Sequence, residues 1–261
     1  MAPRNPWRAL ASAALALLAL AWGSAPSQAA SINYGNFGPV PPGITFLGVT
    51  ESSITDPVPL FGPPTPFVTG LDFDPTTFAS SAAAGSLDIT DGQLNFTIKS
   101  GPAGSIDAVS LFEGGDYTLA GLGTAATQAI AGAILRLSVI EIDGVGVAPV
   151  NLAPSSASVG FNLVANPGVV QPWSLGLTAN IASQLAPGLH ATGVKVVIDN
   201  QLLTLSEASS LAFLAKKDFQ IGVESHIVRQ TVPEPSTALL AVLGGLGCTL
   251  MARSRLRSRS R

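Results

Sequence analysis

Cysteine is almost missing from this 261-residue chain: the single residue, Cys248, stands inside a C-terminal apolar stretch. The region from 30 to 232 therefore has no disulfide and no thiolate metal site, and a domain there must rest on its hydrophobic core. Charge is scarce, at 11% of residues, and it is segregated. Arg4 and Arg8 open the chain, and Arg253, Arg255, Arg257, Arg259 and Arg261 close it. Between residues 30 and 232 six basic side chains stand against fifteen acidic ones, a net of −9. Affinity for nucleic acid comes largely from Lys and Arg on phosphates, so an acidic body excludes a nucleic-acid partner. The 47% hydrophobic content excludes a disordered chain. Histidine is limited to His190 and His226. The chain carries no Gly-x-Ser-x-Gly elbow, His-Glu-x-x-His, Walker loop or Gly-x-Gly-x-x-Gly before a helix.

What is present divides the chain into three parts: 1–29, 30–231 and 232–261. The first reads as a secretory signal peptide. Basic residues precede an apolar run from Ala9 to Trp22, and small residues follow. Ser27 and Ala29 suit the small positions before a cut, which places cleavage after Ala29, with Ala30 as the alternative. The apolar run of fourteen falls short of the roughly 20 residues of a membrane span.

The last part begins Val232-Pro233-Glu234-Pro235-Ser236-Thr237, continues almost wholly apolar from Ala238 to Ala252, and ends in the five arginines. The prolines hold the chain extended and deny it a helix. Ser236 or Thr237 then caps a helix that reaches the short limit of a bilayer span. The arginines stay cytoplasmic under the positive-inside rule, which leaves the body outside. This three-part tail resembles the PEP-CTERM sorting signal of Gram-negative bacteria, over Val232 to Arg261. The resemblance implies that Val232, Pro233, Glu234 and Pro235 are substrate residues for an exosortase, a membrane-embedded processing enzyme. It also implies a setting of biofilm or exopolysaccharide production, with the secretion machinery as a further partner. Cys248 is either an acylation site or a small apolar residue packed in the helix.

The body reads as all-β. Pro and Gly punctuate residues 31–74 too often for long helices, and a short strand fits around Ile44–Thr50. Asp91-Gly92 stands between the alternating runs Ser86–Thr90 and Gln93–Ile98, which predicts a type I′ hairpin. Asp143-Gly144 predicts a second hairpin between Leu135–Ile142 and Val145–Val147, and Asp199-Asn200 a weaker third between Gly193–Ile198 and Gln201–Leu205. Further strands are expected at Ala157–Val164, Trp173–Ile181 and Phe219–His226. Tyr117–Ile134, rich in Ala and Gly, reads as a loop or as a short helix at Ala125–Ile134. Ser206–Lys216 has helical composition, with Leu211 and Leu214 three apart. Many short strands and Gly/Pro turns favour a β-sandwich, with a jelly roll as the specific variant. The stretch Val194 to Val223 looks like the last strands of secreted β-domains found ahead of PEP-CTERM tails, and that likeness puts Lys216, Lys217 and Asp218 near the anchor.

Several side chains invite chemistry. Asp72/Asp74 and Glu113/Asp116 are candidate acid–base pairs for glycoside hydrolysis, which needs two carboxyl groups about 5–10 Å apart around a sugar. Asp72/Asp74 and Asp88/Asp91 are weak Ca²⁺ candidates, since Ca²⁺ takes about six to eight oxygens, although no EF-hand spacing is present. No other cofactor is expected. His190 and His226 read as surface residues, and the Asn95-Phe96-Thr97 sequon lies inside a strand. Trp173 and Tyr117 are candidates to stack on sugars, Trp173 otherwise packing in the core. The double address and the lack of an assembled catalytic set lead to a non-enzymatic, structural or adhesive protein of the cell surface or extracellular matrix. A carbohydrate-binding module is the alternative, and a glycoside hydrolase a more distant one.

Overall fold

The computed structural model describes residues 30–227, apart from Pro42 and Pro102. The signal peptide with Ala29, the motif Val232–Pro235, Cys248 and the terminal arginines lie outside the described residues. Thirteen strands and one short 3₁₀ turn, Ala182–Gln184, make up the described chain. No helix among the described residues is long and apolar enough to cross a membrane.

The strands form two antiparallel sheets, so the all-β sandwich reading holds. Sheet A contains β1 (Ala30–Val40), β2 (Ile44–Ser53), β6 (Leu87–Lys99), β12 (Ala191–Leu205), β8 (Gln128–Ile142) and β10 (Ser155–Asn162), in that order. The strand β9 (Val145–Asn151) also pairs with β8. Sheet B runs β11 (Gly168–Asn180), β7 (Ala108–Leu122), β13 (Ser209–Glu224), β4 (Gly70–Phe73) and β3 (Thr65–Phe67), and β5 (Ala79–Ala83) joins β13 beside β4. From β5 to β8, and again from β10 to β13, consecutive strands alternate between the sheets.

The core lies between the sheets and follows the period-2 rule of a pleated strand. From sheet A, Leu94, Phe96 and Ile98 of β6, Leu135, Leu137 and Val139 of β8, and Val194, Val196 and Ile198 of β12 point inward. Leu111 and Leu119 of β7 and Leu214, Phe219 and Ile221 of β13 meet them from sheet B. Phe61, from the segment between β2 and β3, plugs the centre. Its ring sits 4.9 Å from Phe219, 5.0 Å from Phe78 and 6.2 Å from Phe73, all in edge-to-face contact. That segment is tied down by the buried carboxylate of Glu51, which accepts the N–H groups of Leu60, Phe61 (3.2 Å) and Gly62 (3.3 Å) and the Tyr34 hydroxyl (2.6 Å).

One hairpin is found where the sequence places it. Asp143 and Gly144 have φ of 49° and 78°, the left-handed pair that a type I′ turn requires, and join β8 to β9. The other two Asx dipeptides are not turns. β6 and β12 each run straight through, and they pair with one another so that Gly92 faces Asn200 and Asp91 faces Gln201. The hairpin reading fails because the apolar phase of β6 changes face at Gly92 without the chain turning. On the inner side the missing apolar residues are replaced by Phe61 and Phe78, whose rings lie where a Gly92 side chain would be. Thr90, the neighbouring inward residue, bonds to the Ala79 carbonyl of β5 (2.8 Å).

The two stretches that read as loop or helix are strands. Ala129, Ala131 and Ala133 face the core at every second position of β8, and Ser210, Ala212, Leu214 and Lys216 do so along β13. Alanine carries no helix instruction when its neighbours alternate with it in burial, and Leu211 and Leu214 fall on opposite faces. A bulge at Lys217 then shifts the register between Lys216 and Asp218, so that Phe219, Ile221 and Val223 regain the inner face. Lys216, just before the bulge, points into the core in mid-strand and is not left at the end of the domain.

Candidate functional site

A groove of about 630 Å³ lies on the outer face of sheet A, crossing β6, β12, β8 and β10. Its walls are rows of residues that the register sets side by side. One row is Asp91, Gln201, Gly132 and Ser158, and the next is Gln93, Asp199, Ile134 and Ser156. Gly132 leaves a gap in the first row, which deepens the recess. Four strands about 4.8 Å apart give it a length of roughly 14 Å.

The polar groups are held in a relay. Asn95 Nδ2 donates to Gln93 Oε1 (2.9 Å), Gln93 Nε2 donates to Asp199 Oδ1 (2.6 Å), and Arg136 pairs with Asp199 Oδ2. Asp91 is fixed from the other side by the segment after β2. Its Oδ1 accepts the Thr55 hydroxyl (2.6 Å), the Thr55 N–H (3.0 Å), the Ile54 N–H (3.2 Å) and the Ser53 hydroxyl (3.2 Å). Burial raises the cost of its charge, but these hydrogen bonds outweigh it and hold the carboxyl below its ordinary range. The groove thus offers pre-set acceptors at Asp91 and Asp199 and donors at Arg136 and Gln201, with two serine hydroxyls on the far wall. Such a surface matches a ligand dense in hydroxyl groups. It gives no nucleophile–base pair.

A second, shallower recess of about 550 Å³ lies on the outer face of sheet B. Phe112 and Phe67 flank it, 45% and 39% exposed, over Gly176 and Gly222, with Ser110, Thr178 and Gln220 beside them. These two are the exposed aromatic rings of the sandwich faces. Trp173 and Tyr117 are not. Trp173 points inward, 6% exposed, and donates Nε1–H to the Ala215 carbonyl (3.1 Å). Tyr117 lies flat on Phe161 at 4.0 Å and is 7% exposed. Both are held in the packing, so neither stacks on a sugar.

The carboxylate pairs separate by strand geometry. Glu113 and Asp116 are three apart on β7 and fall on opposite faces, with Glu113 in the core against Lys216 and Asp116 outside against Lys217. Asp88 and Asp91 part the same way: Asp88 accepts the Ser81 N–H (2.7 Å) while Asp91 faces the sheet A groove. Both pairs therefore lose the joint role expected of them. Asp72 and Asp74 do stay near each other, and Asp218 of β13 joins them. Desolvation, then the charges of Asp72 and Asp74, push the Asp218 carboxyl upward. Among the described residues, no group of three or more His, Cys, Asp or Glu side chains is placed to hold a metal ion.

The two histidines, far apart in sequence, meet edge-to-face at 5.6 Å. His226 Nδ1 contacts both Ser105 Oγ (2.8 Å) and Asp107 Oδ2, and Ser105 Oγ donates to Asp107 Oδ1 (2.8 Å). A hydrolytic triad needs its serine and its acid on different imidazole nitrogens. Here both share one nitrogen, and Ser105 is buried. The cluster fastens the end of the β13 segment to the segment before β7.

The sequence named Asp91 as a turn residue and weak Ca²⁺ candidate and Asp199 as a turn residue, and it missed Gln93, Arg136, Gln201 and both serines. The available signal was the polar stripe at alternate positions of β6, Asp91, Gln93, Asn95 and Thr97, which marks one exposed strand face. No family model matches this chain, and no curated protein is similar to it. Among solved structures, TmCBM61 in complex with β-1,4-galactotriose aligns with 61% of this chain and 73% of its own, at 11% identity and a TM-score of 0.25. The N-terminal cellulose-binding domain of β-1,4-glucanase C from Cellulomonas fimi aligns with 64% and 83%, at 10% identity and a TM-score of 0.21. The lectin from Bauhinia forficata in complex with GalNAc aligns with 77% and 100%, at 10% identity and a TM-score of 0.17. At these scores the likeness assigns no residue of this chain.

Proposed function

We propose that this chain is an exported, non-enzymatic protein of the cell surface or extracellular matrix, sorted through its Pro-Glu-Pro tail, whose β-sandwich holds carbohydrate in the groove of sheet A. The groove carries the reading. Gln93, Asp199 and Arg136 are already oriented by one another and Asp91 by Thr55, so a sugar chain laid across the strands exchanges its water for those groups without reordering them. The alternation of consecutive strands between the two sheets supports the jelly-roll variant of the sandwich. The acidic body and the three-part tail support export and exosortase processing.

The test is a printed array of neutral and acidic oligosaccharides probed with the secreted protein. Binding that falls at least tenfold in Gln201→Ala and Asp199→Ala, and survives Phe112→Ala, is expected. Binding lost in Phe112→Ala alone moves the site to sheet B, and no binding to any glycan leaves the purely structural, adhesive reading. Sorting is tested separately with Glu234→Ala in a host that processes such tails: the chain is expected to stay in the membrane fraction with its tail, and unaltered processing overturns the sorting reading.

A further inference from the structure

The core of the sandwich holds an amine against a carboxyl where water does not reach either. The side chains of Lys216, on β13, and Glu113, on β7, both have zero exposure, and Lys216 Nζ touches Glu113 Oε2. Three phenyl rings close over the amine, with centroids 4.7 Å (Phe78), 4.9 Å (Phe219) and 5.6 Å (Phe61) from Nζ. The other carboxyl oxygen, Oε1, has no hydrogen-bond partner. Two ions placed here give up hydration that one ion-pair contact and the faces of three rings restore only in part. Burial drives Lys216 toward the neutral amine against the pull of Glu113.

Moving one proton from Nζ to the carboxylate turns the ion pair into a free amine against a carboxylic acid, the two forms that can react with each other. The strands hold the two groups together. The alternation Ala212, Leu214, Lys216 aims Lys216 inward, and across from it Gly115 lets β7 and β13 approach, since a Cβ there would overlap the Ala215 carbonyl. Reacting groups fixed in contact behave as though at very high concentration. We propose that Lys216 and Glu113 condense into an intramolecular isopeptide bond that joins β13 to β7. Nζ attacks Cδ of the protonated carboxyl and the C–N bond forms. One Cδ–O bond breaks, and the departing hydroxide takes the proton released by nitrogen and leaves as water. The sum is ammonium plus carboxylate giving amide plus water, with no oxidant, reductant or further reactant. The same zero exposure that assembles the pair keeps water from reversing it. This inference stands independently of the carbohydrate reading.

The test is mass spectrometry of the full-length protein, expressed and purified folded, then denatured and digested with trypsin. The expected result is an intact mass one water below that of the linear chain, and a branched peptide joining the segments that contain Glu113 and Lys216. Trypsin should not cut after the acylated Lys216. Glu113→Gln is expected to form the same amide with loss of ammonia, and its product should match the wild-type product in mass. Lys216→Met is expected to give the full linear mass. Cleavage after Lys216 with both peptides linear and at full mass, from folded wild-type protein, overturns the proposal without any variant having to fold.

Discussion

Replacing Gly92 by alanine places a methyl group 2.8 Å from Phe61 Cε2 and 3.0 Å from two atoms of Phe78, where carbon atoms ordinarily rest about 3.5–4.0 Å apart. Neither ring has space to retreat: Phe61 is 0% and Phe78 1% exposed, and Phe61 touches Phe73 and Phe219 on its other edges. Overpacking of this kind costs about 1–3 kcal/mol, offset by roughly 0.5–1 kcal/mol that alanine regains over glycine in a strand. The net is a loss of about 1–2 kcal/mol, which for a domain of this size lowers the melting temperature by roughly 2–8 °C. Thermal unfolding followed by circular dichroism measures it. A second substitution, Phe78→Leu, makes room for the methyl, so the double variant should be less destabilised than the sum of its parts. Gly92→Asn separates the strand from the hairpin reading, because a type I′ turn accepts asparagine and a packed strand does not. A Gly92→Asn protein that melts with the wild type would refute the packing argument.

Other substitutions probe the charged and polar groups. Asp218→Asn should raise stability at neutral pH. A carboxyl held above its unfolded value binds its proton more tightly in the native state, so it lowers stability as pH rises through that interval, and the variant's pH–stability curve should be flatter there. Asp91→Ala should cost roughly 1–3 kcal/mol in urea unfolding at pH 7 by removing the charge-assisted hydrogen bonds from Thr55 and Ile54. The sign is opposite for this lowered carboxyl: its contribution is present above the unfolded value near about 4 and disappears as pH falls through the folded one, so the Asp91→Ala deficit should shrink in acid. Trp173→Phe should lose about 0.5–1.5 kcal/mol with its hydrogen bond to Ala215, and an unchanged urea midpoint would show that water replaces the indole there.

The sequence made the sandwich legible through its alternating apolar runs, and the Asp143-Gly144 turn through its demand for positive φ. It hid the length of β6 and β12, because the space inside Gly92 is filled by Phe61 and Phe78, and Asp88 and Thr90 bond to β5, all from elsewhere in the chain. A local pattern cannot report a remote ring. For the same reason the sheet A groove was only half visible: Asp91 and Gln93 form a stripe in sequence, whereas their place beside Asp199, Gln201 and Ser158 depends on pairings between distant strands. The fate of Glu113 was illegible altogether, since its partner is 103 residues away on another strand.

The position of β13 bears on how the sandwich carries tension. This last described strand lies inside sheet B, bonded to β7 along its whole length on one side and to β4 and β5 on the other. A pull applied beyond His226 acts along the strand axis, so the rungs of both ladders share the load in shear and do not open one at a time. β1, at the edge of sheet A and bonded to β2 alone, has no such support and is where a pull from the other end would begin to peel. An amide between Lys216 and Glu113 would pass force from β13 into β7 through covalent bonds, leaving little beyond Lys216 able to extend. The sandwich would then serve as a stiff tether between its tail and whatever its groove holds.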